Sequence, residues 1–97
     1  MLDFYIASDS KEKPKPDMLN TLEYAGGLEF EMFERLVRKE IIDSRFDFYS
    51  DFRWGSKMIK QIDMKIREYN DDSDVVYLKK ILDKAQNLKA GLIAYGD

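Results

Sequence analysis

Three stretches of this chain carry the one-faced period of an amphipathic helix, and two short apolar runs flank them near its ends. That pattern leaves few architectures open. In "GLEFEMFERLVRKE" the apolar stripe is Phe30, Phe33, Leu36 or Val37, and Ile41. Glu29, Glu31 and Glu34 come early and Arg35, Arg38 and Lys39 late, which matches the helix macrodipole and predicts a helix over about 29–40. "SKMIKQIDMKIREYN" (56–70) repeats the stripe with Ile59, Ile62, Ile66 and Tyr69. Ser56 suits the N-cap, Trp54 is placed to pack back on the first turns, and Asp63 and Arg67 form an i,i+4 pair. After the break "NDDSD", Leu78, Ile81, Leu82, Ala85 and Leu88 share one face, with Gly91 in the position of a C′ stop.

"LDFYIA" (2–7) reads as a strand buried on both faces or nearly so, and "LIAYGD" (92–97) as a second strand that most simply pairs with it. "SDSKEKPKPD" (8–17) reads as a solvated loop, because each proline removes a backbone donor and turns its predecessor away from helix. Residues 19–27 fit strand and helical turn equally, with the pair Gly26-Gly27 ending the segment. The expected fold is α+β: one globular domain over 1–97, with three amphipathic helices packed on a short sheet that includes the N- and C-terminal strands. A hydrophobic content of 44% supports such a core and argues against intrinsic disorder.

The chain has neither histidine nor cysteine. The usual neutral-pH base, the usual zinc ligands, disulfides and thiol nucleophiles are therefore absent, and a reducing, cytoplasmic setting is expected. No cofactor is expected. No run approaches the ~18 apolar residues of a membrane span, and Asp3 stands where a signal peptide carries positive charge. A sequence pI near 5.0 argues against nucleic acid as a partner. Charge is segregated, however. Residues 1–34 hold eight acids and three bases, residues 35–70 six and nine, and residues 71–97 five and four. The first two segments either complement each other within the fold or each face a partner.

The stretch "DSRFDFYSDFRW" (43–54) concentrates five of the thirteen aromatic residues. As a helix it stacks Asp43, Asp47 and Asp51 into a self-repelling stripe. As an extended or irregular segment, with a turn near Tyr49-Ser50-Asp51, it sets Phe46, Phe48, Phe52 and Trp54 on one side. The other side then reads Asp43, Arg45, Asp47, Tyr49, Asp51 and Arg53, and this second pattern is the better match. Its plainer meaning is a core floor with a solvated charged edge. Its functional meaning is a recognition strip for another protein, since aromatic and arginine side chains anchor interfaces. A divalent metal site or small metal-dependent enzyme built on Asp43, Asp47 and Asp51 is the alternative, although the spacing is not that of an EF-hand. Gly26-Gly27 is not part of a phosphate-binding glycine motif, and the following helix start is acidic.

The order "DFYIASD", "GGLEFEMFERL", "IIDSRFDFYSDFRW" and "GLIAYGD" resembles small, acidic, uncharacterised bacterial proteins, some of which act as immunity partners of secreted toxins. The resemblance implies a cytoplasmic binding role and assigns no active residues; the missing catalytic inventory and the charge segregation make the expected role a non-catalytic one. The expected partner is another protein; a homo-oligomer is also compatible with this pattern.

Overall fold

Leu2, Phe4 and Ile6 alternate with Asp3 and Tyr5, and in the computed structural model, which describes residues 1–7, 23–69 and 71–96, they form strand β1 (Leu2–Ala7). The loop expected at 8–17 and the start of the ambiguous 19–27 stretch lie outside the described residues. The remaining elements are β2 (Glu23–Leu28), α1 (Phe30–Arg38), β3 (Phe52–Trp54), α2 (Ser56–Ile66), α3 (Ser73–Asn87) and β4 (Gly91–Tyr95). The four strands make one antiparallel sheet in the order β2-β1-β4-β3. The two terminal strands are its centre and pair directly, with Phe4 opposite Ala94. This is the expected α+β architecture.

One face of the sheet carries Leu2, Phe4, Ile6, Leu92, Ala94 and Trp54, all buried in a cluster with the apolar stripes of the three helices. Fully burying a side chain of this size contributes about 1.5–3 kcal/mol, so this cluster is the main source of stability. β4 is buried on both faces, with Ile93 fully covered. β1 is not, because Asp3 and Tyr5 remain partly exposed on the second face.

Gly26 and Gly27 do not end the second segment; they lie within β2. The pairing steps from Phe4–Gly26 to Tyr5–Tyr24, which leaves Ala25 as the extra residue of a bulge. Gly26 has φ 147°, and a Cβ there would come within 2.9 Å of Ile81 Cγ1 on α3. The glycine thus allows both the bulge and the close approach of the helix.

Helix boundaries also differ from expectation. α1 stops at Arg38 because Glu40 takes φ 61° and Ile41 N–H donates to the Leu36 carbonyl, a Schellman closure made without glycine. α3 closes the same way at Lys89 (φ 53°), with Ala90 N–H donating to the Ala85 carbonyl. Gly91, expected as the stop, is instead the first residue of β4. Gly55, not Ser56, caps α2. Asp72 caps α3 with its carboxylate, accepting from the Asp74 and Val75 N–H groups.

Candidate interaction surface

The connector between α1 and β3 is neither helix nor a continuous strand; it makes two successive turns before entering β3. Each turn is held by an aspartate that bonds the backbone two residues on. Asp43 Oδ1 accepts from Arg45 N–H at 2.9 Å, and Asp47 Oδ1 from Tyr49 N–H at 3.1 Å. Asp47 Oδ2 also accepts from the Ser50 hydroxyl at 3.1 Å. The alternation read from the sequence survives in burial: Phe48 and Trp54 are buried and Phe46 and Phe52 half-buried, while Asp43, Arg45, Asp47, Tyr49 and Asp51 are exposed. The rings divide into two groups. Phe46, Phe52 and Trp54 pack with one another and, through Phe52 and Trp54, against Phe4. Phe48 meets Phe30 and Phe33 of α1 at 5.3 and 5.7 Å between centroids.

The six residues of the expected strip do not form one surface. Arg53 lies on β3 opposite Ile93, on the sheet face away from the helices. Asp51 Oδ1 accepts from Gly96 N–H at 3.1 Å, beside the end of β4. Arg45 lies over the Phe46 ring at 4.9 Å, near Met58 of α2. Asp43 sits with Lys65 in the clefts between the connector and α2. Asp43 and Arg45 stay together on the α2 side, and Asp47 and Tyr49 on the α1 side. The three aspartates do not converge, and among the described residues no group of three or more acids is placed to hold a metal ion.

Asp47 and Tyr49 meet α1 along a groove of about 340 Å³. Its walls include Phe30, Phe33, Phe48 and Tyr49, with Glu34 and Asp47 among them, and among the described residues no lysine or arginine lines it. Phe30 is 42% and Tyr49 60% exposed, and their rings stack at 6.0 Å with 30° between planes. Phe30 was expected on the buried stripe. It instead begins the helix and stays partly exposed, with its ring edge-on to Phe48, and its exposure was not visible in the periodicity. Two larger clefts, of about 400 and 490 Å³, flank the end of α1. They mix lysine, arginine and glutamate and contain no exposed ring pair.

The opposite face of α1 is a closed ionic contact. Arg35 donates to both oxygens of the buried Asp74, from Nε at 2.6 Å and from Nη2 at 2.9 Å. Lys39 pairs with Asp72, the cap of α3. Those hydrogen bonds from Arg35 and Lys39 hold the Asp74 and Asp72 carboxyls below the usual carboxylate range, against the opposing effect of burial. Asp63 of α2, also buried, pairs with Lys79 of α3 at 3.2 Å and with Arg67 at 3.5 Å. Among the described residues, then, the bases at 35 and 39 find their paired acids at 72 and 74, outside the acidic first segment.

The second face of the sheet carries Tyr5 between Tyr24 and Tyr95, at 5.4 and 6.0 Å. Tyr24 donates to Asp3 Oδ1 at 3.0 Å, and partial burial followed by that bond pushes its phenol up to about 12. Compared with known proteins, the chain matches no family model, no curated protein and no solved structure.

Proposed function

We propose that this chain is a non-catalytic protein-binding module whose contact surface is the Phe30–Tyr49 groove. We further assign it the role of a cytoplasmic immunity-type protein that occludes a partner toxin. The carrying observation is the stacked, exposed pair of Phe30 and Tyr49 among carboxylates. Large rings at a surface are the usual anchors of protein contacts. The absence of imidazole and thiol groups agrees with binding in preference to catalysis. Among the described residues no helix is long and apolar enough to cross a membrane.

The test is affinity capture from the native cell lysate at moderate salt, run with the wild type and with the Phe30→Ser/Tyr49→Ser variant. One protein retained by the first and lost from the second is expected, and its co-expression with the chain should relieve any growth arrest it causes. No retained protein, or equal retention by both, overturns the reading.

A further inference from the structure

We infer, resting on the reading of the groove as a protein contact, that its specific occupant is an arginine side chain of the partner. Three observations carry this. The groove offers the exposed aromatic surfaces of Phe30 and Tyr49 beside two carboxylates, and among the described residues no cation lines it. Glu34 is half-buried and forms no ion pair among the described residues, although Arg38 stands one turn further along α1. Arg38 lines the neighbouring cleft instead. Asp47 uses one acceptor position on each oxygen within its own turn. An ionised carboxylate has about four such positions, so it keeps capacity for a further donor.

A planar guanidinium satisfies all three features at once. It lies flat on an aromatic ring, keeps its charge at any physiological pH and presents several donors to carboxylates in its plane. A partner's apolar side chain would bring no charge to Glu34. A carboxylate would be repelled by both acids. The same chain already shows the ring contact on a small scale, with Arg45 over Phe46 at 4.9 Å.

The experiment is a titration of ¹⁵N-labelled protein with acetyl-Gly-Arg-Gly-amide, read from amide chemical shifts, against the same peptide carrying citrulline or norleucine. Saturable shifts confined to residues around 30, 34 and 47–49 are expected, with the citrulline peptide binding about tenfold more weakly. The Glu34→Gln/Asp47→Asn variant, in which the amide at 47 can still cap its turn, should lose a comparable factor while keeping its spectrum elsewhere. Equal binding of the arginine and citrulline peptides overturns the inference, as does tighter binding of norleucine or the absence of shifts at these amides. Shifts at the same amides that depend only on protein concentration would assign the groove to a second copy and overturn it too. Capture of a partner in the lysate experiment together with a failed titration would retain the binding module and remove only the arginine.

Discussion

The two sides of helix α1 treat charge in opposite ways. On one, Arg35 and Lys39 are four residues apart and meet Asp74 and Asp72 of α3, so that each charge is matched within the fold. On the other, Phe30 and Glu34 are also four residues apart and face the double turn, where rings are exposed and the lining carboxylates meet no cation among the described residues. Both rows follow from the same helical spacing. The comparison separates charge that holds helices together from charge that remains available to a partner. Substitutions on the first side should reduce stability, and substitutions on the second should reduce binding.

The largest effect belongs to the core ring that ends β3, which provides the reference for both sides. Trp54 is fully buried beneath the turns, and Trp54→Ala should cost about 3–5 kcal/mol in chemical denaturation. Its indole N–H has no hydrogen-bond partner among the described residues, so Trp54→Phe should lose much less than the missing ring volume suggests. Next comes the ionic side. Arg35→Ala removes both hydrogen bonds to the buried Asp74 and leaves it only the more distant Lys39, at 3.8 Å, and should lower Tm by several degrees at neutral pH. The pH dependence gives the sign. Because Asp72 and Asp74 titrate lower in the folded chain than in the unfolded one, their contribution is complete above the unfolded value of about 3.9. It is lost as pH falls through the depressed folded values. Wild-type Tm should therefore drop steeply below pH ~4, and the Arg35→Ala variant should show a flatter acid limb.

The fold was legible in the sequence where burial has a period. Ile59, Ile62 and Ile66, and Leu78, Ile81 and Leu82, marked α2 and α3, and the terminal apolar runs marked the central strands. The connector was legible in burial and not in backbone, because aspartates that bond two residues on produce the same in-and-out alternation as a strand. Gly26 reads as a turn in any single sequence; the bulge and the approach of Ile81 that require it come from strands and helices distant in the chain. The Arg35–Asp74 contact spans 39 residues and has no local marker. Asp47 and Tyr49 are legible as members of a six-residue polar strip, of which the groove keeps only these two, whereas Phe30 and Glu34 fall in a helical pattern that describes them equally well.

Smaller effects sharpen the comparison further. Glu40 and Lys89 occupy left-handed positions that favour glycine, so Glu40→Gly and Lys89→Gly should each stabilise by roughly 0.5–1 kcal/mol in the same denaturation assay. Glu40→Gly lies just beyond the ionic side of α1 and should leave partner binding unchanged. On the sheet face away from the helices, Tyr24 keeps its proton longer in the folded chain than in the unfolded one. Stability should consequently fall as pH rises from about 10 toward 12, and Tyr24→Phe should remove that alkaline component from a Tm-against-pH curve.

The most direct measurement pairs thermal unfolding with partner capture for Tyr49→Ala. Tyr49 is exposed, so Tm should stay within a few degrees of wild type while retention of the partner falls by more than about thirtyfold. Unchanged retention at unchanged Tm would contradict the division between the two sides of α1.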